Sequence, residues 1–152
     1  MTTTFDLIEN HPFLVGLDPS ALKRLAVWGH EVEFDAGSRI FVEGGPAERF
    51  WLICDGQVQL DLHMPGPGTA VIESLTAGEV LGWSWLFPPY LWQFGAAATT
   101  KTLAVEFDSY SVRRLCDAEP ALGYQLMQRF TRVVVQRLQA TRIRLLDLYG
   151  SP

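Results

Sequence analysis

The sequence predicts an α+β protein, with an antiparallel β-roll (a small jelly roll) between N-terminal helices and a long C-terminal helix. Residues 31–107 carry short apolar runs of alternating period, separated by Gly and Pro turns, as in small antiparallel barrels. Residues 5–29 and 108–149 instead place apolar side chains at helical spacing. The 152 residues, 48% of them hydrophobic, suffice for one domain over 1–152 with a buried core.

The N-terminal segment, residues 5–29, is predicted to be helical. Asp18 is suited to cap a helix that begins at Pro19, because its carboxylate accepts a backbone N–H bond and proline needs none there. The apolar residues that follow share one helical face: Ala21, Leu22, Leu25 and Ala26. Gly29 ends the run.

The central segment, residues 31–107, alternates with period two. Its apolar residues on even positions are Phe50, Leu52, Cys54, Val58, Leu60 and Leu62. Asp55-Gly56 in their midst predicts a hairpin turn between two paired strands. A second turn is expected at Pro65–Gly68, followed by a strand over Thr69–Leu75. Leu103, Val105 and Phe107 alternate again and predict a last strand.

The C-terminal segment, residues 108–149, returns to helix. Asp108 or Ser109 can cap a short helix through Cys116, and Pro120 opens a long one to Leu148. One stripe of the long helix repeats at spacings of 3 and 4, the pattern of a coiled-coil seam: Tyr124, Met127, Thr131, Val134, Leu138, Thr141, Leu145 and Leu148. A second stripe occupies only the first half: Leu122, Leu126, Phe130 and Val133.

Two apolar stripes on one helix require two partners. If one packs on the β-roll, the other is free to meet a symmetric copy, so we expect a homodimer. The predicted interface is Met127, Thr131, Val134, Leu138, Thr141 and Leu145. In the alternative, both stripes pack within one chain. The arginines of this helix are interpreted as a solvated face: Arg129, Arg132, Arg137, Arg142 and Arg144.

Charge and composition exclude several classes of protein. Lys+Arg total 12 against 17 Asp+Glu, a net charge of −5 without a basic run, so direct nucleic-acid binding is not expected. The chain has no signal peptide and no apolar run of about 18 residues, so we expect a cytoplasmic protein without membrane contact. The cysteines and histidines match no metal or nucleophile motif: Cys54, Cys116, His11, His30 and His63. We interpret the histidines as surface or loop residues and expect neither an enzyme nor a metal site.

The stretch from Phe34 to Val58 resembles the cyclic-nucleotide-binding domain of catabolite-activator-type bacterial regulators. It carries that family's glycine framework as Phe34-Asp35-Ala36-Gly37, Ile40-Phe41, Glu43-Gly44 and Gly56-Gln57-Val58. Gly78–Gly82 resembles the phosphate-binding cassette, with a helix over Gly82–Phe87, and Pro120–Leu148 resembles the dimerisation helix. The stretch Arg137–Thr141 is similar to the part of that helix that reaches the bound base. The resemblance implies a ligand-sensing regulator.

The resemblance also implies the ligand-binding residues: Gly78, Glu79, Val80, Leu81, Gly82, Trp83, Ser84, Leu91, Trp92, Gln93, Thr141 and Arg142. Two positions depart from the family. Trp83 replaces a Glu that accepts the ribose hydroxyl. No cation matches the phosphate-binding Arg, whose place falls at Leu91, or alternatively at Trp92 or Gln93. We therefore expect weak cAMP binding, and its restoration to need Trp83→Glu and Leu91→Arg together.

Aromatic residues are concentrated just after the cassette: Trp83, Trp85, Phe87, Tyr90, Trp92 and Phe94. They predict either a filled core or a pocket for an apolar or planar ligand, and a cyclic nucleotide is the other ligand class that stays open. Two functions follow. One is a stand-alone regulatory module that signals through a partner protein; the other is a ligand-free dimerisation scaffold. The family's DNA-binding domain would follow Gly150, and both a native end and a boundary within a longer chain fit.

Overall fold

The computed structural model describes residues 2–66 and 68–150. Within that part the helices are α1 (Thr4–Ile8), α2 (Pro19–Ala26), α3 (Ser109–Ala118) and α4 (Pro120–Gly150). The strands are β1 (Gly29–Phe34), β2 (Arg39–Phe41), β3 (Arg49–Asp55), β4 (Gln57–His63), β5 (Thr69–Thr76), β6 (Val80–Leu81), β7 (Gly95–Ala98) and β8 (Thr102–Asp108). The described part contains no helix long and apolar enough to cross a bilayer.

The strands form two antiparallel sheets, as the sequence predicts for a β-roll. The first sheet has the order β1-β8-β3-β6 and the second the order β2-β7-β4-β5. In β3 the four residues from Phe50 to Ile53 are all buried, because the helices cover one face of the strand and the second sheet lies toward the other. The simple alternation predicted for this strand therefore holds only for its polar end.

The hairpin predicted at Asp55-Gly56 is wrong. Strand β3 belongs to the first sheet and β4 to the second, so the chain changes sheets here instead of pairing with itself. Gly56 makes this possible with a φ of 103°, and a Cβ on it would lie 2.6 Å from the Lys101 carbonyl oxygen. The true hairpin joins β4 to β5, from Gln57 opposite Thr76 to His63 opposite Thr69. The predicted turn at Pro65–Gly68 includes Pro67, which lies outside the described residues.

The N-terminal segment consists of two short helices joined by turns, in agreement with the predicted N-terminal helices. The predicted cap is confirmed, since Asp18 Oδ2 accepts a 3.3 Å bond from the Ala21 amide and α2 begins at Pro19. Helix α1 has its own cap, in which Thr3 and Asp6 bond each other's backbone amides. Helix α2 ends at Ala26, so Gly29 starts strand β1.

Of the two apolar stripes of α4, the shorter one packs against the β-roll. Phe130 meets Phe50 edge-on at 5.4 Å and Trp85 at 5.3 Å, between ring centroids. Phe50 also stacks on Phe107 at 4.9 Å, which continues the aromatic layer across β3 and β8. Leu122 and Leu126 are buried beside Phe130. Helix α4 is therefore anchored to the β-roll by its first half.

His11 lies in the loop between α1 and α2, in agreement with the loop alternative, but it is buried and not at the surface. Its Nδ1 accepts a 3.2 Å bond from the Phe13 amide, so the ring hydrogen is on Nε2 and is donated to the Ile53 carbonyl at 2.8 Å. Protonation would remove the Nδ1 acceptor and leave a charge inside the protein. Burial therefore lowers the pKa of His11 below its ordinary value of 6.5.

This arrangement predicts that the protein loses stability as the pH falls below 6.5. The unfolded chain then binds a proton that the folded chain does not, so the unfolding free energy rises with pH in this window and is fully developed above it. We expect the stability advantage of wild type over His11→Gln to shrink by about 1 kcal/mol per pH unit in urea titrations. His63→Gln, at an exposed position, is the control. An advantage that is equal at all pH values would contradict the prediction.

Candidate functional site

The cassette predicted from the sequence is a short strand held between two glycines. Gly78 and Gly82 have φ values of 92° and 97°, and between them Val80 and Leu81 are buried as β6 against β3. The Glu79 carboxylate accepts a 2.6 Å bond from the Thr76 amide in the preceding turn. The side chains of this strand therefore build the fold, and only its backbone and flanks remain for binding.

The helix predicted over Gly82–Phe87 is wrong. The structure has a single 3₁₀ turn over Ser84–Leu86 instead. The Leu86 amide bonds the Trp83 carbonyl at 3.1 Å, and Trp85 Nε1 bonds the Gly82 carbonyl at 3.2 Å. The bulky Trp85 side chain is fully buried, which draws the segment into the core before an α-helical turn can form. This segment therefore offers no α-helix N-terminus at which an anion could bind.

Trp92 is the residue after the cassette that points into the β-roll. Side chains alternate here, so Leu91 is 39% exposed and Gln93 is exposed, whereas Trp92 and Phe94 are buried. The Trp92 ring stacks on Phe41 at 3.8 Å. Leu91, where the sequence analysis puts the phosphate-binding position, therefore faces outward, whereas the alternative at Trp92 faces inward.

The Trp92 indole covers the second glycine of the cassette. A Cβ added to Gly82 would lie 2.8 Å from Trp92 Cη2 and 3.6 Å from the Arg49 carbonyl oxygen. Trp83 lies beside the same cluster, with its ring 5.8 Å from that of Phe94. Two polar atoms of this segment, Trp83 Nε1 and Ser84 Oγ, are buried without a hydrogen-bond partner. The predicted pocket is thus largely occupied by aromatic rings, with unpaired polar atoms at its edge.

Helix α4 reaches the cassette through a residue that the sequence analysis placed on a solvated face. Arg137 Nη2 donates a 2.9 Å bond to the Val80 carbonyl, and Nε lies 3.5 Å from Glu73 Oε2. Its side chain is only 14% exposed, and burial lowers the pKa of its guanidinium. Thr141 and Arg142, which are predicted to bind ligand, are exposed in the single chain. The sequence did contain a signal for this contact, because Arg137 begins the stretch that resembles the part of the family's helix that reaches the bound base.

The predicted dimer residues lie mostly outside the monomer core. Met127 and Val134 are half-buried. The other four are exposed: Thr131, Leu138, Thr141 and Leu145. Large apolar side chains continue along the exposed second half of α4, with Leu138 57%, Leu145 51% and Leu148 78% exposed. An apolar stripe of this length on a helix is typical of a protein interface.

Neither cysteine has the character of a reactive thiol. Burial raises the pKa of Cys116 to about 11, with the charge of Asp117 as a second cause. Burial also raises the pKa of Cys54. Across residues 2–66 and 68–150, no group of three His, Cys, Asp or Glu side chains is arranged to hold a metal ion.

Comparisons with known proteins agree with this geometry. A family model described as the cyclic nucleotide-binding domain matches residues 31–119. A CRP-like cAMP-activated global transcriptional regulator of Mycobacterium tuberculosis is 28% identical over 133 residues, which are 88% of this chain and 58% of that protein. The chain thus spans less than two thirds of the length of this curated relative.

Solved structures extend the similarity to the whole fold. A protein described as cyclic nucleotide-binding from Geobacter metallireducens has a TM-score of 0.75 and 29% identity, covering 83% of this chain and 91% of its own. A cyclic nucleotide-binding domain from Methylobacillus flagellatus has a TM-score of 0.82 at 18% identity, covering 94% and 83%.

Proposed function

Because the chain belongs to the cyclic nucleotide-binding domain family, we propose that it is a regulatory ligand-binding module whose cassette no longer suits cAMP. The observation that carries the proposal is the Trp92 indole lying over Gly82. The side chains around this turn are aromatic, and none of Trp83, Trp92 and Phe94 carries the positive charge needed for a charge-assisted pair with a phosphate. Loss of a charge-assisted pair weakens the binding of a nucleotide monoanion by about 1.5–3 kcal/mol, which lowers its affinity about 10- to 150-fold.

A ligand of different chemistry suits the edge of the cassette better. Trp83 Nε1 and Ser84 Oγ are buried without partners, and each such group destabilises the free protein by about 1–3 kcal/mol. Once the aromatic rings that enclose these atoms move apart, a planar, apolar molecule with hydrogen-bond acceptors would pair with both atoms while its face contacts the rings. This ligand class is the one we propose for the cassette.

The test is calorimetric titration with cAMP and cGMP, together with a thermal-shift screen of planar metabolites. We expect no sub-micromolar binding of either cyclic nucleotide. A planar ligand at 100 times its dissociation constant should stabilise the protein by about 2.7 kcal/mol. Sub-micromolar cAMP binding by the unmodified protein would overturn the proposal, because it would require a phosphate partner other than those described above.

A pair of double variants tests which position faces the ligand. Trp83→Glu with Trp92→Arg should strengthen cAMP binding by about ten-fold or more, because both substituted side chains then border the cassette. Trp83→Glu with Leu91→Arg is the matched control, and we expect no gain from it because Leu91 lies on the outer face. Circular dichroism should establish that both variants fold. A gain confined to the Leu91 variant would contradict the assignment of Trp92 to the inner face.

The second candidate function is a ligand-free dimerisation scaffold. The stacking of Trp92 on Phe41 at 3.8 Å, with the Trp51 ring 6.0 Å away, favours it, because a filled site binds nothing. In this case no compound in the screen stabilises the protein, while self-association persists.

The proposed module acts as a homodimer and passes its signal to a partner protein. The exposed apolar stripe of α4, from Leu138 to Leu148, supports the dimer, since its burial by a second copy would remove that surface from water. A net charge of −5 favours a protein partner over a nucleic acid.

A further inference from the structure

A cavity lies beside the cassette but does not include the cassette turn at residues 82–84. It has a volume of about 410 Å³ and is bounded by the N-terminal segment, the β5–β6 turn and helix α4. Its lining residues include Gly78, Glu79 and Val80 but none of residues 82–84 or 91–93. The volume is within the range usual for small-molecule sites, about 300–1,000 Å³.

Three arginines of one helix converge on this cavity: Arg129, Arg132 and Arg137. This is a concentration of positive charge in a chain whose net charge is −5. Two carboxylates also line the cavity, but both are engaged. Glu73 pairs with Arg137 at 3.5 Å, and Glu79 accepts a bond from the Thr76 amide. Three arginines against two carboxylates leave a net charge of +1 on the lining of the cavity.

The hydrogen-bond capacity of the arginines is also incompletely used. Arg129 donates to the carbonyls of Val15 and Gln125 at 3.0 and 3.3 Å, which fixes its guanidinium at the cavity wall. Arg137 Nη1 is buried and has no acceptor. Arg132 makes no ion pair among residues 2–66 and 68–150. Burial, and after it the positive charge of Arg132, lowers the pKa of Arg129. Unpaired donors and repelling cations in one cavity are the features that an oxyanion relieves.

We propose that this cavity is a binding site for a small oxyanion-bearing ligand, either a phosphate or a carboxylate compound, held by Arg132 and Arg137. Gln136 lies between them in the lining and adds an amide donor, while Pro12 and Phe13 form an apolar wall. The cavity shares Gly78, Glu79 and Val80 with the cassette but does not include the turn at residues 82–84. Because its walls come from three elements, an anion in it would tie α4 to the N-terminal segment and to the β5–β6 turn.

The experiment is calorimetric titration with inorganic phosphate and, separately, with citrate, against sodium chloride of equal ionic strength. We expect saturable binding of at least one of the two anions by wild type, and Arg132→Gln to weaken it about ten-fold. Arg114→Gln, which removes the same charge from an exposed position on α3, should bind as wild type does. Equal binding by wild type and Arg132→Gln, or no binding of either anion, would overturn the proposal.

Chemical-shift mapping on the wild-type protein locates the anion without any substitution. Binding in this cavity should move the amide signals of Gly78, Val133 and Gln136 and leave those of Gly82 and Ser84 in place. Movement centred on Gly82 and Ser84 would instead assign the anion to the cassette and overturn the proposal. The relative affinities of phosphate and citrate then decide which of the two oxyanion chemistries the site prefers.

Discussion

Replacing Trp92 with alanine is expected to destabilise the protein by about 3–5 kcal/mol, the usual loss for a buried tryptophan. Trp92 is only 3% exposed and lies in an aromatic stack with Phe41 and Trp51. Its removal would open a cavity between these rings and Gly82, against which its indole now rests. A small domain is typically stable by about 5–15 kcal/mol, so this single change would consume a large part of the margin.

The measurement is chemical denaturation, in which the dependence of the unfolding free energy on denaturant concentration should be the same for all variants. Two further variants serve as comparisons. Trp28→Ala deletes the same side chain where it is 42% exposed, and we expect a loss of about 1 kcal/mol or less. Trp92→Phe keeps an aromatic ring on Phe41 and should fall between the two alanine variants. If Trp92→Ala lost no more stability than Trp28→Ala, the Trp92 indole would not be packed tightly against Gly82 and Phe41.

Added indole gives a second readout of the same cavity. A dry apolar cavity left by a deleted side chain can bind the missing group, so indole should raise the melting temperature of Trp92→Ala. It should leave wild type unchanged, because Trp92 already occupies the space. Stabilisation of both proteins to the same extent would place the indole elsewhere.

Local signals in the sequence predicted the elements of this fold well. The cap at Asp18 and the start of α2 at Pro19 depend on interactions within one turn, so three residues suffice to predict them. The heptad stripe of α4 similarly depends only on spacing along one helix. The antiparallel β-roll followed from turn residues and alternation, which are also local.

The errors arise where the answer depends on a distant part of the chain. Asp55-Gly56 has the chemistry of a hairpin turn, but only the pairing of β3 with β8 and of β4 with β7 shows that the strands belong to different sheets. At Leu91 and Trp92 a shift of one residue exchanges the inner face for the outer one. No local feature distinguishes these two positions.

Arg137 illustrates a third kind of difficulty. Its long side chain reaches from α4 to Glu73 and the Val80 carbonyl. Nothing in the local sequence distinguishes it from Arg132 and Arg142, which lie five residues to either side. Helical spacing puts Arg137 four residues after Val133, on the edge of the face that packs on the β-roll. Which arginines of a helix are buried depends on how far that face extends, and this is set by the sheet.

Replacing Leu138 with glutamate is expected to turn the proposed dimer into a monomer. Leu138 lies in the middle of the exposed half of the heptad stripe and is 57% exposed in the single chain. In a symmetric dimer both copies of the new carboxylate would lie near the two-fold axis, in an apolar seam. Desolvation of an unpaired charge there destabilises the interface by several kcal/mol, whereas the same charge in the monomer stays in water.

Light scattering at a concentration where wild type is dimeric is the measurement, and far-UV circular dichroism should show that the variant still folds. Gln139→Glu adds the same charge one residue away, at an exposed position off the stripe, and should remain dimeric. The two variants differ only in the face of α4 that carries the carboxylate, so a monomer in the first and a dimer in the second would locate the interface on this stripe. A Leu138→Glu protein that is folded and dimeric would mean that the two copies meet through another surface.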